Sequence, residues 1–115
     1  MYQTMMATRP TVSAEFSAPI RIPELEGNGP TVDGCLTDDG LFLFFSRSDP
    51  GDLYVAQRLS LTSPFGPAVP LSELNSTALE SDPWMSPDQT EFYFASERDD
   101  GTLQIYVSAV HRRGP

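Results

Sequence analysis

Lysine is absent from this chain of 115 residues, and all seven basic residues are arginine. The formal net charge is −9, so there is no basic stripe to grip a phosphate backbone, and no nucleic-acid partner is expected. Cysteine occurs once, at Cys35, which excludes an intrachain disulfide and a cysteine metal cluster. Histidine also occurs once, at His111, beside Arg112 and Arg113. A lone tail histidine reads as a solvated bystander, and a catalytic triad or a His-rich metal site needs more. Cys35 reads as an inert, buried thiol in an apolar-flanked stretch. No apolar run approaches the ~18 residues of a membrane span. The first residues, Met1 to Ala7, carry neither a basic region nor a long apolar stretch, so no secretory signal is visible in them.

What is present is aromatic and repetitive. Seven Phe, four Tyr and one Trp can build the core of a single domain. A shift of 49 carries Arg9 onto Arg58, Phe16 onto Phe65, Ile20 onto Val69, Ile22 onto Leu71 and Leu25 onto Leu74. The same shift carries Asp33 onto Asp82, Leu36 onto Met85, Thr37 onto Ser86 and Asp39 onto Asp88. A one-residue gap after the last pair then aligns Phe42, Phe44 and Ser46 with Phe92, Phe94 and Ser96. A second gap brings Leu53-Tyr54-Val55 onto Ile105-Tyr106-Val107. The unit is therefore about 50 residues long, and internal repeats of that period mark stacked architectures.

Each unit reads as short β-strands. Leu41–Phe45 is apolar throughout, and Phe92–Ala95 nearly so. Five residues is strand length, the aromatic content favours β-structure, and a strand apolar on both sides must be covered on both sides. Strands are also expected at Leu53–Ala56 and Ile105–Ala109, with short ones at Ile20–Ile22 and Val69–Leu71. Thr37–Gly40 and Ser86–Gln89 are read as tight turns, the second with Pro87 at the position where a fixed φ helps. Arg47–Asp52 and Glu97–Thr102 are read as hairpin loops. No stretch has convincing helical periodicity, although Ser72–Leu79 has room for one turn.

The stretch Asp82-Pro83-Trp84-Met85-Ser86-Pro87-Asp88, followed by Phe92-Tyr93-Phe94-Ala95-Ser96 and Ile105-Tyr106-Val107, resembles the Pro-Asp, WD-like propeller repeat of TolB-type proteins. Thr37, Asp39 and Gly40 resemble a degraded first copy, with Asp38 in place of the motif proline. Gln89 stands in place of the motif glycine in the second. The resemblance implies an all-β fold of four-stranded antiparallel blades, here an incomplete propeller of about two. Residues 1–25 would be leading strands, 26–75 and 76–110 the two repeats, and 111–115 a tail. It also implies a cell-envelope or secreted setting.

Function is read as that of a non-catalytic, protein-binding scaffold, without cofactor or metal. The loop residues Arg47, Asp49, Asp52, Arg98, Asp99 and Asp100 are the candidate contacts. Arg98 is expected to pair with Asp99 or Asp100. The acidic loops lack the spacing of a calcium-binding loop and are read as plain turns. Asp33 and Asp82 are expected to fix local backbone, and Trp84 to pack between sheets. The other reading is a propeller attached to a peptidase or glycosidase whose catalytic residues lie outside these residues. Three arrangements stay open for the uncovered blade faces. The chain could be part of a longer propeller. It could self-associate, the strand near Ile20–Ile22 completing a neighbour's last sheet. Or it could be a small two-sheet domain.

Overall fold

The computed structural model describes residues 3–25, 29–48 and 51–110. Asp49, His111 and the tail 111–115 lie outside the described residues. The chain is all-β, with three antiparallel sheets. Strands β1 (Met5–Met6) and β2 (Ile20–Arg21) form a leading pair. A 3-10 turn, Pro23–Leu25, leads into a four-stranded meander. Its strands are β3 (Thr31–Leu36), β4 (Phe42–Arg47), β5 (Asp52–Gln57) and β6 (Val69–Pro70), in that spatial order. A three-stranded meander follows, of β7 (Glu80–Met85), β8 (Glu91–Ser96) and β9 (Gln104–Ala109).

The repeat is reproduced bond by bond. Ser17 N–H donates to Thr8 O at 2.6 Å, and Gly66 N–H donates to Gln57 O at 2.7 Å. Ala14 N–H donates to Thr11 O, as Ser63 N–H does to Ser60 O. Leu25 N–H to Ile22 O and Leu74 N–H to Leu71 O are both 3.0 Å, and each closes a short turn after the outermost strand. The leading pair repeats β5–β6: Met5↔Arg21 and Met6↔Ile20 correspond to Tyr54↔Pro70 and Val55↔Val69. So β1 and β2 are the outer two strands of a unit of the same kind.

In one place the strand pairing corrects the sequence alignment. β3 pairs β4 through Leu36↔Leu43 and Cys35↔Phe44, and β7 pairs β8 through Met85↔Phe92 and Trp84↔Tyr93. The shift is still 49 here, so Leu43 and Phe45, not Phe42 and Phe44, correspond to Phe92 and Phe94. The reason is the turn. Gly40 N–H to Thr37 O and Gln89 N–H to Ser86 O, both 2.8 Å, close turns of equal length, leaving no place for a gap. The extra residues enter the next loop, which spans 48–51 in one sheet and 97–103 in the other. A one-residue error matters because it turns every side chain to the opposite face.

With that register the core is simple. Leu43 and Phe45 face the leading segment and join Ile22, Leu25, Ala56 and Phe65 in one cluster. Phe44 faces the other way and joins Leu53, Phe92 and Phe94 in a second. Thus β4 is covered on both faces, as its apolar run requires. Truncating a buried Phe such as Phe45 to Ala removes about 3–5 kcal/mol.

Candidate functional site

The turns joining first to second strands are built on carboxylates. Asp39 accepts from the Thr37 hydroxyl at 2.6 Å and from Leu41 N–H at 3.0 Å. Asp88 accepts from the hydroxyls of Ser86 at 2.8 Å and Thr90 at 2.7 Å. The Thr37 hydroxyl, then Leu41 N–H and the Gln89 amide, hold Asp39, and the Thr90 and Ser86 hydroxyls hold Asp88, in each case lowering the carboxyl below its ordinary value. These donors are the local Ser/Thr groups that such turns favour. Gln89 takes the left-handed position that Gly40 has in the first unit, φ 59° against 75°. Its amide crosses to Asp39 at 3.0 Å and ties the two turns together.

Asp33 and Asp82 sit at matching bulges with positive φ, 60° and 52°. Asp33 Oδ2 accepts from Ser46 Oγ at 3.0 Å and from Asp82 N–H at 3.4 Å. Its expected backbone-fixing role is therefore carried partly across the sheets. Pro83 follows Asp82 within the β7 bulge.

The candidate loop arginines are engaged inside the fold. Arg47 lies over the stacked Phe45–Tyr54 pair and donates to Leu25 O at 3.0 Å. Arg98 lies over the stacked Phe94–Tyr106 pair and donates to Leu74 O. Leu25 and Leu74 are equivalent, so both arginines fasten a sheet to the turn before it. They come from different places, the end of β4 and two residues past β8. Arg98 does not pair with Asp99 or Asp100; it pairs with Glu80 at 3.6 Å and donates to Ser96 Oγ at 2.9 Å. Glu80 is fully buried and accepts from Ser76 N–H, Ser76 Oγ and Ser96 Oγ. Burial pushes its carboxyl up, but these donors and Arg98 outweigh that and leave it below its ordinary value. Sequence reasoning missed Glu80, because Ser96 and Arg98 reach it only through the pairing of β7 with β8.

Asp99 and Asp100 remain at the surface. Asp100 is held by Thr102, whose hydroxyl donates at 2.6 Å. Asp99 accepts from the Tyr106 hydroxyl. Asp52 is half-buried; burial first, and then the Glu80 charge, raise its carboxyl. Arg9 over Phe16 and Arg58 over Phe65 repeat one more cation–π contact at the shift of 49. Four of the five arginines among the described residues are therefore laid over aromatic rings.

Trp84 and Cys35 depart from expectation. Trp84 is 48% exposed and touches Tyr93 on the outer face of the last sheet, not a second sheet. The same face carries Ile105 at 72% and Val107 at 55% exposure. Cys35 is only partly buried, against the second cluster. A groove of about 380 Å³ is lined mainly by apolar groups, among them Phe42, Val55 and Val69, with Gln57 and Arg58 as its polar side chains. Among the described residues no group of three metal-ligating side chains is gathered, and no helix is long and apolar enough to cross a membrane. Comparison with family models, with curated proteins and with solved structures returns no match.

Proposed function

We propose that the chain is a non-catalytic protein-binding scaffold of Pro-Asp-type propeller repeats. The sheets of residues 31–70 and 80–109 are successive blades, and the leading pair is the outer half of another. The observation that carries this reading is the repeat of the hydrogen-bond pattern at a shift of 49, with each sheet packed face to face on the next. Stacked units of this type draw stability from nearest-neighbour interfaces and present their loops on a rigid frame.

The charge arrangement supports a basic partner. With Lys absent and a net charge of −9, the field around the loops is negative on balance. Asp52, Asp99 and Asp100 would meet a basic segment of another protein, and such binding weakens with salt.

A repeat insertion tests the scaffold. A second copy of residues 31–79 is placed directly after Leu79, keeping the period of 49 residues. The expected product folds with the same β-sheet circular dichroism and a higher denaturation midpoint, because one more interface is added. A product that fails to fold, or is less stable, overturns the repeat reading. An Arg-rich peptide titrated at low and high salt tests the loops; binding should fall with salt and with the pair Asp99→Asn, Asp100→Asn. Salt-independent binding, or none, rejects the basic partner.

A further inference from the structure

We infer that the outer face and outer edge of the last sheet receive a second copy of this chain, whose Ile20–Arg21 strand is added to β9. The inference rests on the blade reading above and goes beyond it by naming the partner.

The face comes first. Trp84, Tyr93, Ile105 and Val107 stand where Cys35, Phe44, Leu53 and Val55 stand in the four-stranded sheet. In that sheet the face is covered, by Phe92 and Phe94 of the next sheet. In the last sheet it is uncovered among the described residues, and three of its four side chains are large and exposed. A patch of this kind on a monomer marks an interface.

The edge comes second. β5 is edged by β6, whereas β9 has no outer partner among the described residues. The strand equivalent to β6 elsewhere in the chain is β2, and it is held to β1 by only two residue pairs, with Ile20 56% exposed. Moved to a neighbour's β9, it would adopt the β5–β6 register, with Arg21 opposite Tyr106 and Ile20 opposite Val107. Open strand edges invite such pairing.

The occupant follows from what the chain carries next to β2. Ile22 and Leu25 correspond to Leu71 and Leu74, which pack beside Phe44 and Phe92 at the junction between the sheets. Leu43 and Phe45 correspond to Phe92 and Phe94, the side chains that cover this face inside the chain; in the free chain they are buried under Met6, Ile22 and Leu25, and because Met6 holds the place of Val107, the neighbour's β9 takes over the position of β1 when β2 pairs with it. The incoming copy would therefore rebuild at the intermolecular junction the packing already seen between residues 31–70 and 80–109. The contact is heterologous, front of one copy to back of the next, so it forms a closed ring if the rotation permits. Each copy would contribute two complete four-stranded sheets, and a propeller closes with roughly 4 to 8.

The test uses the full chain with Cys35→Ala, so that no native thiol competes. Light scattering on a sizing column should give a discrete multiple of the chain mass, more populated at high salt, because copies of net charge −9 repel one another. A mixture of Ile20→Cys and Val107→Cys chains, oxidised, should give a disulfide-linked dimer. Ile20→Cys mixed with Ser108→Cys, one residue out of register, should not. Val107→Asp should return the monomer with unchanged circular dichroism, since this side chain is at the surface of the free chain. A monomer under all conditions, or an oligomer that links equally in both mixtures, overturns the inference. The outcomes also separate from the parent reading. A monomer whose 31–79 insertion still raises the midpoint rejects the docking alone. Failure of the insertion as well rejects the repeat scaffold.

Discussion

At the residue scale, a tight demand falls where one unit touches the next. Gly51 adopts φ +104°, and its carbonyl accepts Glu80 N–H at 2.6 Å. A Cβ there would lie 2.8 Å from Leu79 Cγ and 3.3 Å from Leu79 Cα. Gly101, φ +78°, has a Cβ direction with nothing within 4 Å. The two glycines separate backbone strain from crowding. Gly101→Ala should cost about 1–2 kcal/mol, the penalty of a left-handed alanine. Gly51→Ala should cost more, about 3 kcal/mol or above, because Leu79 Cα is backbone and cannot swing aside. Urea denaturation of both variants checks this, and equal losses would mean that Leu79 yields freely. The glycines were legible in the sequence as turn residues, but their unequal roles were not. Crowding by Leu79 is a tertiary contact that no local pattern encodes.

At the element scale, Glu80 clamps the start of β7, the end of β8, the Ser76 turn and the Arg98 loop. Its carboxyl is held below the ordinary value of 4.5. A depressed carboxylate contributes stability that is present above that ordinary value and is lost as pH falls through the lower, folded value. Glu80→Gln should therefore lose stability at neutral pH and flatten the fall in stability below about pH 4.5. The Asp52 carboxyl, raised by burial and by the Glu80 charge, should return toward its ordinary value in the same variant. Glu80→Ala should cost about 1–3 kcal/mol for each buried hydroxyl left without its acceptor, with Arg98, which reaches solvent, adding less. Denaturation midpoints of wild type and both variants between about pH 3 and about pH 7, a range that brackets ordinary carboxylate values, supply the check; parallel curves would remove Glu80 as the source. Strands β2, β4, β5, β6, β8 and β9 were readable from aromatic runs and turn residues, to within a residue or two at their ends, whereas the bounds of β1, β3 and β7, which lack such runs, were not. The β4–β8 register was not, because Phe-x-Phe-x-Ser occurs in both units one residue out of phase, and only the equal turn lengths decide between the two fits. The arginine contacts were hidden for a similar reason: Arg47 and Arg98 reach one structural position from unmatched sequence positions.

At the scale of the whole molecule, the division into two, four and three strands was legible in the sequence, since the repeat is cut at the same points in both. Which surfaces remain open was legible only as a problem of uncovered faces; the coordinates place it on Trp84, Ile105 and Val107. A stack of units coupled through neighbours loses structure from its ends inward. The sheet of residues 31–70 is packed on both faces, by the leading segment on one and by Phe92 and Phe94 on the other. The leading pair has two residue pairs and exposed side chains, and the last sheet has one bare face. Amide hydrogen exchange at low protein concentration should therefore be fastest in Met5–Met6 and Ile20–Arg21, intermediate in Gln104–Ala109, and slowest in Phe42–Arg47. Raising the concentration should slow exchange in Gln104–Ala109 selectively if a second copy covers that sheet, because binding protects only what it covers. Uniform exchange across all three sheets would mean that the chain unfolds as one cooperative block, and the nearest-neighbour account of its stability would have to be given up.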